Sequence, residues 1–255
     1  MRFVSCLCGT RIEGADGDAI AEAFFAHTDG QHPQVKVSDA RRREVEGALR
    51  RSGGWDGTRT QLDGDVVVRP LSPELKDDYL AFFDTDAFPD NPVWAACYCL
   101  SYCLNLPPGE EFDERPASQN RAERGAMIDR GEASGVLAFD GPRVVGWCHA
   151  APRTAFPLLD KTPGFEAEDP ERTGAIVCFV IAPPYRGQGL ARKLLDGACD
   201  MLRDREFARV EAYPPKNPTG DPSSYHGRLS MYVDAGFEHV RDAGRFTVVR
   251  KTLVG

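Results

Sequence analysis

Two groups of residues in this chain have types and spacing suited to binding chemistry. Cys6-x-Cys8, followed by His27-x4-His32, supplies two thiolates and two imidazoles, enough for a tetrahedral zinc ion. Its Cys-x-Cys gap is shorter than the usual two to four intervening residues of zinc fingers. The competing reading is two buried thiols, a helix histidine and a surface His32 beside Pro33. The second group is Arg186-Gly187-Gln188-Gly189-Leu190-Ala191, after the apolar run from Ala175 to Ala182. A strand that stops at a glycine-bearing turn and opens a helix aims several backbone N–H groups at one point. Those donors and the helix dipole favour a phosphate. A P-loop is excluded, because no Gly-Lys-Ser or Gly-Lys-Thr occurs. The dinucleotide fingerprint fails at Arg192, where Gly or Ala is needed.

These residues need elements to hold them. Arg2–Ser5 and Arg11–Glu13 read as short strands around Cys6 and Cys8. A helix from about Gly17 puts Ile20, Phe24 and His27 on one face by their spacing. A second helix runs from Ser38 to about Arg51, capped by Ser38 or Asp39. The glycine-rich stretch that follows has no periodicity. The expected division is therefore a small Cys/His module over 1–52, a linker over 53–64 and a larger domain over 65–255. A unit of ~60 residues buries too little surface to be very stable alone, which makes a metal staple attractive.

In the larger part, a strand at Val66–Arg69 precedes a helix opened by Ser72-Pro73. Helices are expected over Asn91–Leu104 and Ser118–Arg130, separated by an acidic loop from Gly109 to Glu114. A hairpin, Val136–Phe139 and Arg143–His149, leads to the strand at Ala175–Ala182, the turn at Pro183–Gln188 and a helix from about Gly189. A strand at Arg209–Tyr213, a helix ending near Ala235 and strands at Glu238–Arg241 and Phe246–Lys251 close the chain. Strands mixed with helices in this order give an α/β or α+β fold. On a helix, Cys97 and Cys99 point roughly 200° apart and cannot chelate together, whereas Cys99 and Cys103 share a face. Cys148 and Cys178 fall in strands and read as small core residues.

The formal net charge is −8, and all of it lies beyond residue 62, since residues 1–62 hold nine basic and nine acidic side chains. That balance argues against nucleic-acid binding, despite Arg41-Arg42-Arg43, and tolerates cationic partners. No apolar run approaches the ~20 residues that span a bilayer, and Met1–Cys6 lacks a secretion-signal core. The expectation is a cytoplasmic protein whose eight cysteines are free thiols or metal ligands. A homodimer stays open.

Arg186-x-x-Gly189-x-Ala191 after a strand ending in Pro183-Pro184 resembles the coenzyme A pyrophosphate loop of the GNAT acyltransferase superfamily. Ser230–Phe237, ending in Gly236-Phe237, resembles that superfamily's late helix. Trp94-x-x-Cys97-x-Cys99 and Gly146-Trp147-Cys148-x-x-Ala151-Pro152-Arg153 resemble a subgroup of unassigned substrate. The likeness covers roughly residues 65–254. The amino-terminal segment is similar to small bacterial C-x-C-G…H-x4-H modules.

The resemblance implies a mixed, mostly antiparallel central sheet flanked by helices, preceded by a small ββα-like module. It implies acetyl-CoA as cosubstrate, with Phe179, Val180 and Ile181 along the pantetheine arm. The N–H groups of Gly187, Gln188, Gly189, Leu190 and Ala191 would hold the pyrophosphate, and Arg186 would add charge. Tyr232 would protonate the departing thiolate, as a phenol can at neutral pH. Glu211 interrupts the apolar run Val210–Tyr213 and is the candidate base, or a structural carboxylate; His149 and His226 are weaker candidates. An acyl-cysteine intermediate is a further possibility. The function implied is acetyl transfer from acetyl-CoA to a small amine, by direct attack in a ternary complex. Acids such as Glu110, Glu111, Asp113 and Glu114 would suit a cationic acceptor. The rival reading is a catalytically weak CoA-binding regulatory or adaptor protein that engages a partner through the amino-terminal module.

Overall fold

The computed structural model describes residues 1–6, 8–218 and 224–253. Its amino-terminal part pairs strands β1 (Arg2–Ser5) and β2 (Arg11–Gly14) antiparallel and follows them with helices α1 (Gly17–Gln31) and α2 (Asp39–Ser52). The Asp16 carboxylate accepts from Ala19 N at 2.9 Å and Ser38 Oγ from Arg41 N at 3.1 Å, so both helices start where side-chain caps meet their orphan donors. Gly53 ends α2 in the left-handed region at φ +59°. Val4, Ile12, Ile20, Phe24, Val45 and Leu49 form a core of their own between the strand pair and the two helices.

The rest of the chain builds one seven-stranded sheet in the order β3-β4-β5-β6-β7-β9-β8. Its strands are β3 (Val67–Pro70), β4 (Val136–Asp140), β5 (Arg143–Pro152), β6 (Thr173–Ile181), β7 (Arg209–Ala212), β8 (Glu238–Ala243) and β9 (Phe246–Thr252). Among these strands only β6 and β7 run parallel; every other neighbouring pair is antiparallel. This is a mixed α/β fold, as the pattern of elements requires. On one face lies α6 (Leu190–Asp204), where Leu190, Leu194, Leu195, Ala198 and Leu202 recur at helical spacing and are buried. The opposite face of β5 carries Trp147, whose ring meets Tyr79 edge-on at 4.9 Å on the short helix α3 (Lys76–Ala81). Helix α4 (Ala117–Asp129) lies beside it. Two further short helices are α5 (Pro157–Asp160) and α7 (Leu229–Asp234).

The structure corrects one element. Asn91–Leu104 is not a continuous helix: a 3-10 segment covers Pro92–Cys97, and then Tyr98 and Cys99 adopt φ of +44° and +50°. Two consecutive non-glycine residues in the left-handed region are costly, and they are held from outside. The Tyr79 hydroxyl donates to Tyr98 O at 2.8 Å. The fully buried Arg124 donates from Nε to Tyr98 O at 2.9 Å and from Nη2 to Cys99 O. The helical-wheel reading of Cys97, Cys99 and Cys103 therefore does not apply.

Two features of β6 matter for function. Cys178 pairs with His149, but Ile176 pairs with Ala150, so Val177 is an extra, bulged residue. On the other side the parallel ladder ends at Ile176–Ala212. Pro214 and Pro215 follow β7 and lack the N–H donors that would extend it. Beyond Ile176, then, β6 runs on to Ile181 without β7 beside it.

Candidate cofactor cleft and metal cluster

A cleft of about 1890 Å³ opens where β6 leaves β7. Ligand pockets commonly measure roughly 300–1,000 Å³, so this one has room for a cofactor and a second reactant. Phe179, Val180, Ile181, Arg186, Gly187, Gln188, Gly189 and Ala191 line it; Leu190 turns into the core. Gly187 and Gly189 sit at φ +78° and +82°, with open space around the place a Cβ would take. Their conformation turns the backbone so that the N–H groups of Gly187 to Ala191 reach the helix mouth, and none has an acceptor among the described residues. Gly189 caps α6 without a side-chain bond, leaving the positive end of a 15-residue helix facing the cleft.

Arg186 does not direct its charge at that mouth alone. Its guanidinium chelates the Asp90 carboxylate, and its Nε donates to Ile181 O at 3.0 Å. Asp90 is 6% exposed and also accepts at its backbone oxygen from Ser5 N, 2.8 Å away on β1.

Tyr232 and Glu211, named as catalytic candidates, do not line the cleft. Tyr232 is fully buried, and its hydroxyl donates to His226 O at 2.7 Å. Burial raises its pKa well above the ordinary phenol value. Gly227, at φ +82°, lies against the Tyr232 ring and separates it from the cleft, so close that a Cβ there would sit 3.0 Å from the ring. The same segment reaches β6: Phe179 N donates to Tyr225 O at 2.6 Å. Glu211 is fully buried on the other side of β7. Arg250 on β9 grips its Oε1 from Nε at 3.0 Å and Nη2 at 2.8 Å. In this geometry the carboxylate is a structural partner of Arg250 and does not line the cleft.

The floor of the cleft is rich in thiols. Cys97, Cys99 and Cys178 line it, with Cys99 Sγ 3.5 Å from Cys178 Sγ; Cys178 is thus a cleft residue as well as a strand residue. Burial pushes Cys97 up to about 11, while the Cys178 hydrogen bond and burial raise Cys99 well above the ordinary thiol value. Thiols held protonated at neutral pH are poor nucleophiles, which speaks against an acyl-cysteine on either. His149 also faces the cleft, and burial together with the nearby Arg124 charge lowers its pKa well below 6.5. It has lost the basicity a general base at neutral pH requires. Burial, aided by Arg245, brings His226 down to about 3.

At the amino terminus Cys6, Cys8, His27 and His32 converge. Their ligand atoms lie within 4.8 Å of one another; Cys6 Sγ is 3.5 Å from His32 Nε2 and Cys8 Sγ 3.4 Å from His27 Nε2. Zinc bonds of about 2.3 Å to sulfur and 2.0 Å to nitrogen give tetrahedron edges of roughly 3.3–3.8 Å, so the donor set fits that ion. The Thr10 hydroxyl, 3.2 Å from Cys8 Sγ, leads in holding the Cys8 thiol down at about 5. Past His32 the chain carries Val35 and Val37 to the rim of the cleft, where Arg41 and Val45 of α2 join them.

Residues 53–64 do more than link. Thr60 N donates to Pro184 O at 3.0 Å, Gln188 Nε2 to Thr60 O at 2.8 Å and Leu62 N to Gln188 Oε1 at 3.2 Å. Nothing in its glycine-rich composition signals this docking. Asp90 and Arg124 were also missed, because their partners are remote in sequence. Of the four acids of the loop, Asp113 alone reaches the cleft wall among the described residues, beside Phe112. Among the described residues that wall holds eight Arg or Lys side chains against three Asp, an excess that suits an anionic ligand.

No curated protein sequence matches the chain. Among solved structures, the chain is similar to an N-acetyltransferase from Staphylococcus aureus Mu50, at 11% identity and TM-score 0.44, over 75% of this chain and 100% of that one. It is similar to the PaiA N-acetyltransferase from Thermoplasma acidophilum in complex with coenzyme A, at 13% and 0.43, over 74% and 99%. The GNAT domain of S. lividans PAT aligns at 17% and 0.46, over 74% and 91%. The model of the acetyltransferase (GNAT) family matches residues 100–219, a little under half of the chain, and that segment contains β6, the bulge and the glycine turn that opens α6.

Proposed function

We propose that the protein is an acetyl-CoA-dependent N-acetyltransferase acting on a small amine, with zinc held structurally by Cys6, Cys8, His27 and His32. The observation that carries the reading is the run of N–H groups from Gly187 to Ala191, without acceptors among the described residues and at the mouth of α6. A pyrophosphate suits them, and the cofactor then lies along Phe179 to Ile181 toward the bulge at Val177. A backbone N–H on that unladdered edge can polarise a thioester carbonyl. Direct attack by the amine in a ternary complex forms the C–N bond as the thioester C–S bond breaks, with the amine's proton passing to cleft water; it needs no enzyme nucleophile, consistent with the protonated thiols of Cys97 and Cys99. In this reading Tyr232 protonates the leaving thiolate once the segment Ser224–Arg228 has moved from its ring.

The test is release of free thiol from acetyl-CoA across a panel of amines. Tyr232→Phe is expected to lower kcat by about 100-fold or more, the usual worth of a general acid. Tight CoA binding with no amine-dependent release would move the reading to a CoA-binding regulatory protein. The bonds Phe179 N to Tyr225 O and Tyr232 Oη to His226 O favour that second reading, since they occupy both groups. For the metal, elemental analysis after chelator-free purification is expected to give one zinc per chain, lost in Cys8→Ser.

A further inference from the structure

We propose that Arg59 binds the pyrophosphate of the cofactor, making the segment between the amino-terminal module and the sheet a part of the cofactor site. The proposal rests on the CoA reading above. Arg59 lines the cleft beside the glycine turn. Its Nη1 donates to Pro183 O at 3.2 Å and Arg186 O at 3.1 Å, so the guanidinium is fastened to the turn itself. Its carbon centre lies 5.4 Å from the Trp55 ring centroid, and Trp55 in turn exchanges two backbone bonds of 2.8 Å with Phe3 on β1. With the Thr60 and Leu62 contacts already described, the backbone is pinned on both sides of Arg59.

Charge accounting then separates Arg59 from its neighbours. Arg186 is chelated by Asp90, and Arg192 is paired with Asp196 at 2.9 Å. Arg59 has no carboxylate partner among the described residues, and its Nε and Nη2 have no acceptor there. A fixed guanidinium with donors to spare, beside a row of N–H groups that also lack acceptors among the described residues, is an arrangement for a doubly charged, multi-oxygen anion. The glycine turn binds such a group by dipoles; Arg59 supplies the full charge that Arg186 has given to Asp90.

The experiment is calorimetric titration of CoA and of 3′-dephospho-CoA into the wild type, Arg59→Gln and Arg59→Lys at low and high salt. Gln keeps an amide donor for the Pro183 and Arg186 carbonyls but removes the charge. The expected result is a Kd for CoA raised about 10- to 100-fold in Arg59→Gln, the worth of one charge-assisted hydrogen bond. Lys is expected to restore part of the loss, and the gap to shrink as salt rises. The loss should be the same for dephospho-CoA, because the contact is at the pyrophosphate. A purely structural role would lower the unfolding midpoint and leave the salt dependence of binding unchanged. Wild-type affinity in Arg59→Gln, or a loss confined to CoA with its 3′-phosphate, overturns the assignment while leaving the CoA site standing. Failure of the wild type to bind either compound overturns the cofactor reading itself.

Discussion

Replacing Arg250 by leucine strips the Glu211 carboxylate of its partner, and the cost can be worked from the geometry. Glu211 is fully buried, and both Arg250 bonds go to Oε1, while Oε2 has no partner among the described residues. Breaking a buried pair from one side typically costs about 3–5 kcal/mol, since the remaining charge stays desolvated. The Arg250 contact with the exposed Glu168, at 3.3 Å, adds little. The double change Glu211→Leu with Arg250→Leu removes both charges and should return to within about 1–2 kcal/mol of the wild type. Urea unfolding at pH 7 reads these differences. A loss under about 1 kcal/mol would refute the structural assignment. Glu211→Gln leaves Arg250 an acceptor and should change turnover by less than about tenfold. A drop beyond 100-fold at unchanged stability would make Glu211 the base after all.

His226, lowered to about 3, and His149, lowered well below 6.5, bind protons in the unfolded chain before they do in the folded one. Stability should be full above pH 6.5 and fall by up to about 1.4 kcal/mol per unit for each group as pH drops toward 4.5; a flat profile from 7.5 to 5 would contradict their burial as neutral rings. In chelated protein, iodoacetamide should modify the exposed Cys8, with its thiol near 5, well before Cys97 or Cys99, and added zinc should protect it; peptide mass mapping gives the order. Gly17→Ala places a Cβ 2.2 Å from Arg50 O, where α1 crosses α2. It should destabilise the module by about 1–3 kcal/mol, as overpacking does, visible as earlier amide exchange over residues 17–52.

The strand, turn and helix around Gly187 were legible because local signals agree there. An apolar run, Pro183-Pro184, two glycines and a periodic apolar stripe punctuate one another within thirty residues. The Cys/His cluster was legible for the same reason, its ligands lying on a short strand pair and the helix after it. What escaped was decided at a distance. The helix expected through Tyr98 and Cys99 is broken by Arg124 and Tyr79, whose hold on two carbonyls has no local signature. Glu211 looked chemical because it interrupts an apolar strand; its partner lies 39 positions later. Tyr232 occupies the helix expected for it, but whether its hydroxyl meets the cleft depends on Ser224–Arg228, which no periodicity describes.

Asp90 has a consequence for how such chains can be cut or recombined. Its backbone oxygen completes β1 through Ser5, one residue before Cys6, while its carboxylate fixes Arg186 at the head of the glycine turn. The sequence invites a cut in the glycine-rich stretch, as though two cassettes had been joined. A shortened chain beginning after that stretch would leave Asp90 with an orphaned carbonyl and strip Thr60 and Arg59 from the turn. Grafting the module onto a different partner would demand a backbone carbonyl at this one place to receive Ser5 N. The two halves are fastened by bonds at Asp90, Arg59 and Thr60, and exchanging either half breaks them.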